Sequence, residues 1–252
     1  MTIELEPADA GDAATERFCA VVAVRDSHHR DLAPILAMRL AAAGGVPGTV
    51  LDVASTDRAD ALADVTAVLA GRDGVLVVMD AYGGGPASGP LFDETAEHVL
   101  RARQPVLVLG PCVPDEVAAA IPIPWDLQLP IDGSRPGDDL LASAGTWWAT
   151  FGPTRVTVIG LDASDPWPDD GSDPVVDPAR AAAVRLRRQG LETDLVRRPS
   201  VDPSTALLAA TTPAGAVFVV PAPRSPGADG RWFAALRRLV RAAGCPVLAV
   251  PG

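Results

Sequence analysis

A short apolar motif occurs twice in this sequence of 252 residues, once near the middle and once at the end. Residues 105–111 read Pro-Val-Leu-Val-Leu-Gly-Pro and residues 246–252 read Pro-Val-Leu-Ala-Val-Pro-Gly, at an offset of 141 in the numbering. Residues 74–78 and 216–220 also match, at an offset of 142. Because the matched segments keep their order along the chain, the sequence predicts two copies of one structural unit.

The repeated motifs belong to a series of nine short apolar runs, most of them rich in Val. They lie at residues 21–24, 49–53, 75–79, 106–109, 127–131, 156–159, 195–196, 217–220 and 247–250. Runs that are apolar without alternation are typical of strands buried on both faces of a parallel sheet.

Helix signals separate these runs. Asp31 is an N-cap candidate for a helix that stops at Gly44 and Gly45. Its apolar face is expected to carry Leu32, Ile35, Leu36, Leu40 and Ala43. Asp177 followed by Pro178 predicts the start of a second helix, as Asp202 and Pro203 do for a third. Strands that alternate with helices predict an α/β fold with helices on both faces of parallel sheets.

A third match, between residues 22–27 and 129–134 at an offset of 107, indicates where each copy begins. The second copy is longer by about one helix and one strand. The predicted organisation is a loose tail at 1–17, a first copy at 18–111, a Pro-rich linker at 112–124 and a second copy at 125–252.

Charge excludes several classes of partner. The chain has 21 basic and 32 acidic residues and a net charge of −11, which argues against nucleic acid and anionic membranes as partners. Every basic residue is Arg, so a P-loop lysine and Schiff-base chemistry are excluded.

The cysteines and the apolar runs bear on the compartment. Cys19, Cys112 and Cys245 are far apart and form no CxxC motif, which predicts reduced thiols rather than disulfides or a zinc site. No apolar run is long enough to span a membrane, and the first residues lack the apolar core of a signal peptide. We therefore expect a cytoplasmic protein.

The two ends of the second copy carry the most informative motifs. Residues 130–134 read Pro-Ile-Asp-Gly-Ser at the end of a first strand, and residues 244–250 form a final strand with the sequence Gly-Cys-Pro-Val-Leu-Ala-Val. In the first copy, residues 93–101 lead in a similar way into residues 104–108. These segments resemble the universal stress protein family. The resemblance implies two tandem doubly wound parallel-sheet domains of the adenine-nucleotide alpha hydrolase type, with the first shortened by an edge strand and its helix.

Nucleotide-binding members of that family carry a loop of the form G-x2-G-x9-G-[ST] after the fourth strand. Its glycines let backbone amides approach the phosphates at a helix N-terminus. The corresponding residues are Asp80, Gly83, Asp93 and Glu94 in the first copy, and Pro221, Arg224 and Phe233 or Ala234 in the second. Because carboxylates repel phosphate and prolines lack amide donors, we expect ATP, the cofactor that the resemblance implies, not to bind.

The resemblance also implies a binding position at Asp132, since the family's first-strand Asp lies near adenine in ATP-binding members. If any ligand binds, Asp132, Gly133, Ser134 and Arg224 are the candidate cofactor-binding residues. The alternative is that Ser134 caps the following helix. In the first copy, the matching position is assigned to Arg25.

No residues are spaced for covalent catalysis, so the expected function is non-enzymatic, with no catalytic or metal-binding residue. The sequence favours a stress-related regulatory or interaction module with decayed ATP loops and an unknown protein partner. One alternative is a sensor that binds a nucleotide or another small molecule in a rebuilt pocket of the second copy. Another is a chelatase-like enzyme, because His28 and His29 follow the first strand.

The final strands of the two copies, at residues 105–109 and 246–250, would each leave an apolar edge exposed. We therefore expect them to pair antiparallel with each other and to form an intramolecular pseudo-dimer. Association of two chains into a homodimer is a further possibility that the sequence leaves open.

Overall fold

The structure, a computed structural model, describes residues 18–25, 32–53, 58–69, 74–81, 99, 104–116, 126–131, 135–152, 154–162, 177–199, 216–222 and 229–251. These residues contain nine strands, one for each apolar run, so the strand predictions are confirmed. In chain order the elements are β1 (Ala20–Arg25), α1 (Leu32–Gly44), β2 (Gly48–Asp52), α2 (Arg58–Leu69), β3 (Val75–Asp80), β4 (Val106–Leu109), β5 (Asp126–Ile131), α3 (Arg135–Trp148), a 3₁₀ turn (Ala149–Phe151), β6 (Arg155–Asp162), α4 (Pro178–Arg188), β7 (Glu192–Pro199), β8 (Ala216–Ala222), α5 (Asp229–Ala242) and β9 (Val247–Pro251).

The nine strands form one sheet in the order β2-β1-β3-β4-β9-β8-β5-β6-β7. Every neighbouring pair is parallel except β4 and β9, which are antiparallel. The expected pairing of the two repeated motifs is therefore confirmed. It divides the sheet into a first half of four strands, β1 to β4, and a second half of five, β5 to β9.

The register of the sheet gives one offset between the halves. Val77 on β3 pairs with Val106 on β4, and Phe218 on β8 pairs with Val247 on β9. The offset between these two pairs is 141 at both positions, so the sequence match at 142 is wrong by one residue. Consecutive residues of a strand face opposite sides of the sheet, so this slip would exchange the two faces.

The first strand of each half gives the same correction. Ala20 on β1 pairs with Val75 on β3, and Asp126 on β5 pairs with Ala216 on β8. The numbers of Val75 and Ala216 differ by 141, so these two residues are equivalent. Their partners Ala20 and Asp126 are therefore equivalent as well, at an offset of 106. The sequence match at 107 is therefore also wrong by one residue.

Hydrophobic cores lie on both faces of the sheet. The first face is covered by α1, α3 and α4, and its core includes Leu36, Trp148 and Leu186. The second face is covered by α2 and α5, and its core includes Val65 and Val240. Helices on both faces are what parallel sheets require, because their strands bury both sides.

The apolar face of α1 differs from the prediction at two positions. Ile35 is 47% exposed and Ala43 is also exposed, so both lie outside the buried face. The small residues Ala33, Ala37 and Ala41 are buried instead, next to the predicted leucines. Small side chains bring the helix axis close to the sheet, which is why alanines rather than Ile35 face the strands.

The two outermost strands are also less buried than predicted. β2 has exposed residues at Thr49 and Val50, and β7 has exposed residues at Glu192 and Asp194. Each is an end strand of the sheet that the described residues form, and pairs with a neighbour on one side only.

The start and end of α4 are as predicted. Asp177 is the N-cap, and its Oδ1 atom accepts hydrogen bonds from the amides of Ala179 at 3.1 Å and Arg180 at 3.2 Å. Pro178 is the first helical residue, where no amide donor is needed. Gly190 follows the helix with a φ of 85°, which favours glycine. The helix expected after Asp202 lies outside the described residues.

An aromatic cluster joins the two halves on the first face. Phe18, just before β1, stacks on Phe151 with ring centroids 5.2 Å apart, and Phe151 meets Trp148 edge-on at 5.3 Å. The amide of Phe18 also donates to the Thr150 hydroxyl at 3.3 Å. The sequence indicates that one residue of the Trp147–Trp148 pair is buried, and Trp148 is fully buried. The sequence gives no sign that Phe18 lies against Trp147 and Phe151.

Candidate functional site

The carboxyl ends of the strands form the edge where ligands bind in sheets of this type. In the first half, β3 ends at Asp80, whose Oδ2 atom accepts a hydrogen bond of 3.2 Å from the amide of Ala33. Ala33 is the second residue of α1, so the carboxylate lies at the positive end of that helix. This contact joins Asp80, which corresponds in sequence to the first position of the phosphate-loop motif, to α1, the helix that follows β1.

A second charged group lies at the same edge of the first half. Arg25 ends β1, and its Nη1 atom is 3.1 Å from Oδ2 of Asp52, which ends β2. Both side chains are more than a third exposed, so this ion pair contributes little to stability. The described part of this edge therefore carries two carboxylates and one guanidinium.

The matching edge of the second half carries Pro221. Asp80 is next to Leu109 on β4, and Pro221 is next to Val250 on β9, so the common offset of 141 makes Asp80 and Pro221 equivalent. This equivalence agrees with the positions assigned from the loop motif. A proline has no amide hydrogen, so this position offers no backbone donor to an anion.

The residues predicted to bind a ligand, Asp132, Gly133, Ser134 and Arg224, lie outside the described residues. Ile131, directly before them, is buried at the end of β5.

One sequence assignment at this edge is wrong. The offset of 106 makes Arg25 equivalent to Ile131, not to Asp132. Carried one residue further along the sequence, the same offset matches Asp132 with Asp26. The sequence therefore has an Asp at this position in both copies.

The described residues contain no group of three or more His, Cys, Asp or Glu side chains that could hold a metal ion. His28 and His29 lie outside them. None of the described helices is long and apolar enough to cross a membrane.

The three cysteines all lie in the described part of the chain, and no disulfide joins them. Cys19 and Cys112 are exposed, and the thiol of Cys112 donates to the backbone oxygen of Arg241 at 3.2 Å. Burial raises the pKa of the Cys245 thiol to about 12, against the smaller effect of a hydrogen bond from the Phe218 backbone. Cys245 is therefore a neutral residue of the core.

Comparison with known proteins gives a likeness in structure only. No family model matches the chain, and no curated protein matches its sequence. A universal stress protein from Archaeoglobus fulgidus DSM 4304 superposes with a TM-score of 0.58 over 94% of this chain and 98% of that chain, at 15% identity. The cytoplasmic domain of a prokaryotic cation chloride cotransporter gives a TM-score of 0.47 over 92% and 95%, at 13% identity. The first match shows that the chain has a universal stress protein-like α/β fold, and the predicted fold class is confirmed.

Proposed function

We propose that this chain is a tandem universal stress protein-like module that does not bind ATP and acts, without catalysis, as a stress-related regulatory or interaction protein. The observation that carries this proposal is the contact between the Asp80 carboxylate and the Ala33 amide, at the position where nucleotide-binding members have a glycine. A cytoplasmic location and an unknown protein partner remain predictions.

The first half is a poor fit for a triphosphate. A phosphate at the start of α1 would compete with Asp80 for the helix amides, and the carboxylate would repel it. Two unit charges 4 Å apart near a protein surface interact by about 4 kcal/mol, which is repulsive for like charges. The sequence adds Asp93 and Glu94 at the third and fourth loop positions, so Gly83 is the one motif residue that the first copy keeps.

The second half is a poor fit for a different reason. Pro221 removes the backbone donor at the first loop position, and the sequence places Arg224 where the motif has its second glycine. Arg224 can attract an anion, but it does not replace a cradle of backbone amides. The residues present in either half therefore do not match the family's phosphate site.

The tandem arrangement is supported by the single offset of 141 that relates β3–β4 to β8–β9. The shortening of the first half is supported by the number of residues that connect the equivalent strands of each half. Residues 53–74 connect β2 to β3, whereas residues 163–215 connect β6 to β8 and include α4 and β7. The boundaries 18–111, 112–124 and 125–252 remain part of the proposal.

Purification from the protein's own cells, followed by native mass spectrometry, tests this function. An interaction module is expected to retain a protein partner and no small molecule. A bound nucleotide would contradict the proposal. A different bound small molecule would favour a sensor that uses Asp132, Gly133, Ser134 and Arg224, and replacing Arg224 by Ala would then be expected to release it.

A further inference from the structure

An exposed apolar patch lies at the outer edge of the first half. Of the four large hydrophobic side chains exposed in the described residues, three lie here: Ile35 at 47%, Met38 at 47% and Val50 at 40%. We call these three residues the β2 patch. Isolated apolar side chains at a surface need no explanation, but a group at one sheet edge does.

The three residues lie on the same face of the sheet. Val50 pairs in register with Ala23, which belongs to the core beneath α1. Gly48, two residues before Val50, is close to Met38, because a Cβ atom at Gly48 would be only 2.9 Å from the Met38 sulfur. The patch is therefore continuous from α1 onto β2.

The matching edge of the second half is covered. Ala23 and Leu129 are equivalent by the offset of 106, and they pair with Val50 and Val158 respectively, so Val158 is the counterpart of Val50. Val158 is fully buried. A strand and a helix cover it, since β7 pairs with β6 along its length and α4 packs on α3, β6 and β7.

The contact between α3 and α4 is close. A Cβ atom at Gly145 on α3 would be 3.0 Å from the Cδ2 atom of Leu186 on α4. In the described part of the first half, no strand or helix takes this place beside β2 and α1.

The two ends of the sheet also differ in charge. β7 has exposed charges at Glu192, Asp194 and Arg197, and such charges on an edge strand oppose pairing with another chain. β2 has the sequence Gly-Thr-Val-Leu-Asp, so its one charged residue, Asp52, stands at the end of the strand, whereas the β7 charges are spread along its length. All of these charges are in ion pairs, so the two edges differ in the number and placement of charges. The β2 edge therefore lacks the protection that β7 has.

We propose that the β2 patch is a homodimer interface in which β2 pairs antiparallel with β2 of a second copy, centred on Val50. Val50 then faces Val50 of the other copy, Thr49 faces Leu51, and Gly48 faces Asp52, so no like charges oppose each other. The second copy supplies one strand and one helix, β2 and α1, which is the combination that covers Val158 in the second half. The same residues form both sides of the interface, as a twofold axis requires.

Sedimentation velocity over a concentration series tests the proposal, with the full chain and two matched variants. The wild type is expected to approach twice the mass of one chain as concentration rises. V50K is expected to stay at the mass of one chain, because two lysines would meet at the axis, and to melt like the wild type at concentrations low enough for both to be monomeric. V184K, which charges an exposed valine on α4 away from the patch, is expected to dimerise like the wild type.

A crosslinking variant keeps the test decisive if V50K does not fold. In a background with Cys19→Ser and Cys112→Ser, V50C is expected to form a disulfide-linked dimer on oxidation, since residues facing each other across antiparallel strands lie within disulfide range. V184C in the same background is expected to form no disulfide-linked dimer, because residue 184 lies away from the axis, although it still associates non-covalently through the β2 patch. A wild type that remains monomeric, a dimer that V50K leaves intact, or a dimer that forms only after removal of residues 1–17 would each overturn the proposal.

Discussion

Leu107 on β4 and Leu248 on β9 lie directly opposite each other, and both side chains are fully buried. They are the centre of the antiparallel pairing, and the offset of 141 relates one to the other. Both side chains belong to the core on the first face of the sheet, beneath α1 and α3. This pair joins the two halves into one sheet.

Replacing either leucine by alanine is expected to lower the free energy of unfolding by about 2–5 kcal/mol, because each change leaves a cavity at the junction. Since the two side chains are neighbours, the double variant is expected to depart from the sum of the single variants by about 0.5–3 kcal/mol. Urea denaturation of the four proteins measures this coupling. Effects that simply add would show that the halves do not share this core.

Gly110, directly after β4, is expected to tolerate no side chain. A Cβ atom there would be 2.0 Å from the backbone oxygen of Val240 at the end of α5. Gly110→Ala must therefore push α5 away from the junction and lower the melting temperature strongly. Gly244→Ala is the control, because its Cβ atom would be at an ordinary 3.8 Å from the Cys112 oxygen. Equal melting temperatures for the two variants would contradict the close packing of α5 on the junction.

Trp148 and Trp147 are neighbours in the chain with different surroundings. Trp148 is fully buried against Phe151, whereas Trp147 is half-buried at the surface of the same core. Trp148→Ala is expected to cost about 3–5 kcal/mol of unfolding free energy, and Trp147→Ala distinctly less. Thermal denaturation followed by far-UV circular dichroism compares the two variants. If Trp148→Ala lost less unfolding free energy than Trp147→Ala, the assignment of Trp148 rather than Trp147 to the core would be contradicted.

Cys245 is expected to be unreactive in the folded protein. At pH 8, an aromatic disulfide reagent should titrate two thiols quickly, those of the exposed Cys19 and Cys112, and the third only after unfolding. Quick reaction of all three thiols would contradict the burial of Cys245.

The same burial predicts a pH dependence of stability. The thiol of Cys245 ionises near its ordinary pKa of 9.0 in the unfolded chain but only near 12 when folded. Above pH 9.0 the unfolded state binds fewer protons, so the stability present below that pH is lost towards pH 12, by at most ~1.4 kcal/mol per pH unit. Cys245→Ala is expected to flatten this decline.

The sequence predicts the strands well and their register poorly, for one physical reason. Runs of Val and Leu identify a strand, but a strand buried on both faces has no alternation of polar and apolar residues to fix its phase. The matches at offsets of 142 and 107 are therefore each out by one residue. The match at 141 is correct because its prolines fix the ends of the two strands.

The candidate site is only partly predictable. The loop motif correctly identifies Asp80 and Pro221 as equivalent, but the capping of α1 by Asp80 joins residues 47 apart and leaves no local signal. The sequence also does not predict the exposure of Ile35 and Val50, since that exposure depends on a strand and a helix that the described part of the first half does not contain. The stacking of Phe18 on Phe151 is a contact between halves that no pattern within one copy contains.

Calorimetric titration of the folded full chain with MgATP is the most direct test of the central claim that neither half binds ATP. The expected result is no saturable heat, which means an affinity weaker than about 1 mM. A double variant, Asp80→Gly with Pro221→Gly, is the companion measurement. It should also give no saturable heat, because Asp93 and Glu94 in the first half and Arg224 in the second still depart from the motif. Saturable binding of ATP by the wild type with a Kd of about 1 µM would contradict the account.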